Sequence, residues 1–188
     1  MQTFMEETKK EFGKFIDPDS IIAQLGVEQG SIVADFGCGP GFFSVPFAKA
    51  VGEDGKVYAL DVLPQALESV KSKMRTSAVS NIVMIRANVE KENGSRLEPA
   101  LVDWVILKDI LFQNKKKDTI IAEAGRVLKP DGKVIVVEWN KKDSGVGPED
   151  NLRIDREVLK KMFTDQNFAI EKDIVAGDFH YAFVAIKK

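Results

Sequence analysis

The sequence predicts an α/β fold: a doubly wound sheet of seven strands, mostly parallel, with helices on both faces and an antiparallel hairpin at the C-terminal end. Three observations carry that expectation. Five short runs rich in β-branched residues recur between residues 31 and 139. Stretches with helical spacing follow most of them. Three glycines, Gly37, Gly39 and Gly41, come directly after the first run.

Residues 1–30 form a helical lead-in, in which Asp17 caps a helix that Pro18 opens and Gly30 ends. The first strand is "SIVADF" (31–36) and the helix "FFSVPFAKAV" follows it; Pro46 removes a hydrogen bond there and is expected to kink the helix. "VGEDGK" (51–56) turns the chain into the second strand, "KVYALD" (56–61), and Pro64 opens the helix "PQALESVKSKM". The third strand is "NIVMIRA" (81–87) and the fourth "VDWVILK" (102–108). Asn114 starts the helix "NKKKDTIIAEAGRVLK", and "KPDGK" (129–133) turns into the fifth strand, "KVIVVEW" (133–139). All five runs are apolar on both faces, as strands buried between two helix layers require. "NKKDSGVGPEDN" is the most loop-like stretch, but only about forty residues follow it, too few for a second core. They read as a helix near 155–166 and the two strands "FAIEKDIVA" and "FHYAFVAIKK".

With 188 residues and 44% hydrophobic content, the chain reads as a single domain, 1–188. A net charge of −2 gives no broad attraction to phosphate backbones, so nucleic acid is a disfavoured partner. One cysteine, Cys38, and one histidine, His180, make neither an internal disulfide nor a zinc site of the usual Cys/His kind, and no metal is expected. The start "MQTFMEETKKEFGKF" lacks the apolar core of a signal peptide, and no apolar run approaches the roughly 18 residues of a membrane span. The expectation is a soluble cytoplasmic protein without a membrane span, compatible with a homodimer. Phe4, Phe12 and Phe15 fit either a flap over a substrate or an amphipathic helix against the core. "NKKKD" (114–118) reads as a solvated helix start.

The glycine turn carries the chemistry. Glycines between a buried strand and a helix let backbone approach a ligand at the carboxyl edge of a sheet. A dinucleotide turn needs G-x-G-x-x-G, so that pyrophosphate meets the helix N-terminus; here Phe42 occupies the third glycine's place. A P-loop fails as well, because no Gly-Lys-Ser/Thr follows. Asp61, twenty residues beyond Gly41 at the end of the second strand, is placed to accept hydrogen bonds from two ribose hydroxyls. Taken alone, Asp61 is equally a turn acid. Beside the glycine turn, the ribose reading leads.

"VADFGCGPG", "VYALDV" and "ILKDILFQ…EAGRVLKPDGKVIVVEW" resemble the class I S-adenosylmethionine-dependent methyltransferases, nearest to the small-molecule group with ubiquinone/menaquinone-type enzymes. The resemblance runs from about Pro18 to the C-terminus. It implies a Rossmann-like sheet of five parallel strands closed by a terminal hairpin, with 31–139 as the cofactor-binding core and 140–188 as the C-terminal helix and hairpin. It implies S-adenosyl-L-methionine as cofactor and a small-molecule methyl acceptor as partner. Asp35 would then hold the cofactor's ammonium, directly or through water. Gly37, Cys38, Gly39 and Gly41 would line the methionine portion, Asp61 would bind the ribose, and Val62 and Leu63 would pack against adenine. Asn88 and Val89 follow the third strand, where the family commonly has an acid contacting the adenine amino group. Asn88 keeps an acceptor and lacks the charge. Lys108 lies where cofactor and acceptor sites meet.

No catalytic base is assigned. Cys38 reads as a packing residue, with nothing local to lower its pKa. His180 reads as a surface or packed histidine. An Asn-Pro-Pro-Tyr motif for amino-group acceptors is absent after the fourth strand, where "LKDILF" stands. A cytosine carbon-5 enzyme or an arsenite methylase would need further cysteines. The alternatives are a protein or RNA methyltransferase, a non-catalytic cofactor-binding partner subunit and, more remotely, a dehydrogenase.

Overall fold

The computed structural model describes residues 14–141 and 145–188. Phe4 and Phe12 lie outside the described residues. In chain order the elements are α1 (Pro18–Ile22), β1 (Ile32–Phe36), α2 (Ser44–Val51), β2 (Lys56–Asp61), α3 (Pro64–Thr76), β3 (Ile82–Arg86) and β4 (Val102–Lys108). Then follow α4 (Lys117–Val127), β5 (Leu128–Trp139), α5 (Arg156–Thr164), β6 (Phe168–Ile174) and β7 (His180–Lys187).

The seven strands form one sheet in the order β3-β2-β1-β4-β5-β7-β6, with β7 antiparallel to both of its neighbours. From β1 the chain steps outward through β2 and β3, then returns to lay β4 on the other side of β1. That reversal opens a crevice at the carboxyl ends of β1 and β4, where open α/β sheets bind ligands.

Strict alternation along the strands explains why each run is apolar on both sides. Val33, Ile106, Ile135 and Val184 join Ile21, Phe47 and Val70 from α1, α2 and α3 in one core layer. Ala34, Leu107, Val136 and Phe183 join Ile120 and Ala124 of α4 and Leu159 and Phe163 of α5 in the other. β3 departs from the expectation: it is an edge strand, and Val83 is exposed.

Four local expectations are corrected. Asp17 does cap α1, accepting from the Asp19 amide at 3.2 Å, but the helix stops at Ile22 rather than Gly30. Gly26 turns the chain earlier, with φ of +72°. Pro46 is the third residue of α2, where a helix amide has no carbonyl to bond, so it costs no hydrogen bond there. The α2 ladder proceeds past it, with the Phe47 amide on the Phe43 carbonyl at 3.0 Å. Asn114 does not cap α4, which begins at Lys117; its side-chain amide instead closes the loop after β4 by donating to the Ile110 carbonyl at 2.8 Å. "KPDGK" is part of β5 as an irregularity: Leu128 pairs with Val102, the register shifts, and Lys133 pairs with Trp104, while Asp131 takes φ of +59°.

No helix links β3 to β4; residues 87–101 run as successive turns. A buried network ties this segment to α4. The Glu123 carboxylate accepts from the Ser95 amide at 2.9 Å and from Arg126 Nη2 at 2.8 Å, and Arg126 also donates to the Leu97 carbonyl at 2.8 Å. Burial pushes the Glu123 carboxyl up, but the bonds from Arg126 and Ser95 outweigh it and hold the group below its ordinary value.

Candidate functional site

The glycine turn is fastened to β2 by its own backbone. The amides of Gly37 and Cys38 donate to the Leu60 carbonyl at 2.8 and 2.9 Å. Gly37, Gly39 and Gly41 have φ of +69°, +51° and +79°, a left-handed path that side chains disfavour. A Cβ on Gly37 would stand 2.7 Å from Ile110 Cδ1, whereas one on Gly39 would meet no atom within 4 Å. Gly39 therefore presents bare backbone to open space.

Asp61 joins the two halves of the site. Its Oδ2 accepts from the Gly39 amide at 2.9 Å and its Oδ1 from the Leu63 amide at 2.9 Å. The carboxylate is thereby held rigid, with lone pairs left on both oxygens for a ligand. Val62 and Leu63 follow as an apolar lip, 46% and 58% exposed.

These residues face a cleft of about 340 Å³. Of the eleven residues singled out from the sequence, Gly37, Gly39, Asp61, Val62, Leu63, Asn88 and Val89 line it. The other four, Asp35, Cys38, Gly41 and Lys108, stand behind or beside it. Asp35 is buried under the glycine turn, where Ser44 Oγ donates to it at 2.6 Å; burial pushes its carboxyl up to about 6. Cys38 is buried too, and burial drives its thiol far above the ordinary range, so it is an inert packing group and no nucleophile. Gly41 backs onto α3, where an added Cβ would lie 3.1 Å from Val70 Cγ2. Lys108 ion-pairs with Asp109, and its ammonium lies 5.6 Å from the Phe42 ring centroid.

Sequence reasoning missed Glu90, Ile110, Gln113 and Asn114, all of which line the cleft. The last three lie on the loop after β4, whose residues have no periodicity to give them away. The sole available signal was the position of "DILFQN" directly after the fourth strand. His180 is buried and packed, its ring centroid 4.0 Å from that of Trp139.

Gly94 fixes the far wall. A Cβ there would stand 1.9 Å from the Asn88 carbonyl oxygen, a backbone atom that cannot yield. Gly94→Ala is expected to destabilise the fold by about 2–4 kcal/mol and to loosen the Asn88 wall. Urea denaturation measures this; an unchanged midpoint would show that the 88–94 turn relaxes freely.

The donor set suits a ligand with a ribose and a cation, and among the described residues no lysine or arginine lines the cleft to hold a pyrophosphate. Two acids flank a turn of bare backbone, with an apolar lip beside the outer one. Residues 28–182 match the model of a methyltransferase domain family. A ubiquinone/menaquinone biosynthesis C-methyltransferase, UbiE, of Haemophilus ducreyi is 34% identical over 117 residues, 62% of this chain and 44% of that protein. The UbiE of Francisella tularensis is 33% identical over 121 residues, 64% of this chain and 47% of that protein. The chain thus spans about half the length of the curated relatives it matches. A SAM dependent methyltransferase from Aquifex aeolicus has the same fold, with a TM-score of 0.84 at 22% identity over 93% of this chain and 91% of that one. Methyltransferase-domain match and strand order together place the chain: it belongs to the class I S-adenosylmethionine-dependent methyltransferases.

Proposed function

We propose that the protein transfers a methyl group from S-adenosyl-L-methionine to a small-molecule acceptor by in-line displacement. The observation that carries this reading is Asp61, locked by the Gly39 and Leu63 amides at the mouth of the cleft. The names of the curated relatives, biosynthetic C-methyltransferases, support a small acceptor. When bound, the cofactor supplies a methyl carbon already activated on a sulfonium sulfur.

The chain's own contribution is then alignment. Asp61 accepts from the ribose hydroxyls, and Val62 and Leu63 cover one adenine face. Asn88 and Val89 close the adenine end, with Asn88 Oδ1 already accepting from the Glu90 amide at 3.0 Å. Gly37, Cys38, Gly39 and Gly41 give backbone to the methionine portion. Asp35 attracts the ammonium, and Lys108 marks the border with the acceptor. In this reading residues 31–139 are the cofactor core of one domain, and the lead-in and C-terminal segment shape the acceptor side.

Titration calorimetry with S-adenosylmethionine, S-adenosylhomocysteine and NAD tests the proposal. Binding of the first two and not of NAD is expected; failure of both would overturn it. The pH dependence is a sharper check. Asp35 must be ionised to hold a cation, and its carboxyl sits near 6. Affinity is therefore expected to rise with pH through about 6 and to fall by up to about tenfold per unit below it. Asp35→Asn should flatten that profile; an equally steep one in the variant would remove Asp35 from the role.

A further inference from the structure

The carboxyl ends of β4 and β5 and the amino end of the antiparallel β7 hold a polar group that cofactor binding does not use. Asp109, directly after β4, has φ of +52°, a strained value for a residue with a side chain. Its amide is pinned to the Val137 carbonyl at 2.9 Å. The carboxylate stands between two partners: Oδ2 pairs with Lys108 Nζ, and Oδ1 lies 3.3 Å from His180 Nε2.

His180 has a side chain only 3% exposed, yet neither ring nitrogen has a hydrogen-bond partner among the described residues, and neither does Asp109 Oδ1. A buried imidazole and a buried carboxylate oxygen that face each other without a finished bond are costly as mere packing. Among the described residues, Glu138 of β5 acts on Asp109, and Arg153 lies 5.9 Å from the centroid of the Trp139 ring against which His180 packs. Burial raises the Glu138 carboxyl to about 8.

His180 is enclosed, but the Lys108–Asp109 side of the group is partly exposed and close to the cleft. Lys108 and Asp109 have side chains 27% and 16% exposed. Ile110, the next residue, lines the cleft against Gly37, and Gln113 of the same wall donates to the Asp109 carbonyl at 2.9 Å. The half-exposed Phe42 ring, under the Lys108 ammonium, offers an apolar face beside them.

We propose that Asp109 is the proton acceptor of the methyl transfer and that His180 is the residue that positions it, for an acceptor X–H that must lose its proton. This rests on the methyl-transfer reading above. The X–H bond breaks and its proton passes to the Asp109 carboxylate. The electron pair left on X forms the bond to the methyl carbon, and the carbon–sulfur pair stays with sulfur, giving the neutral thioether. Lys108 donates to the charge that develops on the acceptor.

The test uses 4-nitrophenol, whose ionised form alone absorbs visible light, added to the full chain saturated with S-adenosylhomocysteine at a pH near the probe's own midpoint. The bound probe is expected to stay the neutral phenol, its O–H donating to the Asp109 carboxylate, and the ring signals of the chain's single histidine to shift in NMR spectra. Asp109→Asn, which tolerates the left-handed backbone, is expected to raise the bound phenolate fraction about tenfold, equivalent to one pH unit, because the like charge is gone and Lys108 remains. His180→Gln should raise it less. No binding, a silent histidine, or an unchanged phenolate fraction in Asp109→Asn would overturn the assignment. Calorimetry with S-adenosylhomocysteine separates the two readings. Binding with a failed probe result removes only Asp109 and His180, whereas no binding removes the cofactor reading and this assignment with it.

Discussion

Asp61→Ala is expected to weaken S-adenosylmethionine binding by about 10²–10⁴-fold, because two hydrogen bonds to a charged acceptor contribute roughly 1.5–3 kcal/mol each. Part of the loss would come from the protein itself. Asp61 bonds the Gly39 amide on one side and the Leu63 amide on the other, so its removal frees both the glycine turn and the start of α3. Asp61→Asn separates these contributions: the amide retains one acceptor oxygen for a backbone amide and presents an NH2 where the ribose needs a lone pair. Binding by Asp61→Asn should therefore fall nearly as far as in the alanine variant, while its thermal midpoint stays closer to wild type. Equal affinities for wild type and both variants, measured by calorimetry, would place the ribose elsewhere and withdraw the cleft as the cofactor site.

Much of this site was legible because its chemistry is local. A glycine path of positive φ and an acid at the next strand's end lie on continuous stretches of chain, and Gly37, Gly39, Asp61, Val62 and Leu63 from those stretches line the cleft. The seven-strand order was accessible for a similar reason, since each buried run alternates between two core layers. What stayed hidden depends on residues far apart in sequence. His180 and Asp109 meet only because β7 inserts antiparallel beside β5, setting His180 opposite Trp139 at the edge where β4 ends. A lone histidine in a terminal strand carries no periodicity or spacing that announces a carboxylate 71 residues earlier. The errors in helix ends have a common cause as well. Gly26 serves the turn that delivers chain to β1 and the side chain of Asn114 closes the loop that leaves β4, and tertiary need outranked capping preference at both.

Glu138→Gln should remove most of a stability loss that wild type suffers as pH rises from about 4.5 to about 8. The Glu138 side chain is fully buried on β5; its Oε1 accepts from the Leu111 amide at 2.7 Å, and its Oε2 has no partner among the described residues. Burial raises its carboxyl from 4.5 to about 8, with the Asp109 charge acting in the same direction and the Leu111 bond and Lys108 opposing. Between those two values the folded chain keeps a proton that the unfolded chain has released, so stability falls with rising pH. At about 1.4 kcal/mol per unit, the full effect reaches several kcal/mol. Glutamine preserves the acceptor for the Leu111 amide and never ionises. The variant should match wild type near pH 4 and exceed it by an amount that grows up to about pH 8. Urea denaturation across that range decides the matter, and parallel curves would mean that Glu138 is already ionised at neutral pH. That outcome would reach the acceptor side too. An ionised Glu138 would set a second negative charge against Asp109, and the proton taken from an acceptor would then have two carboxylates to choose between.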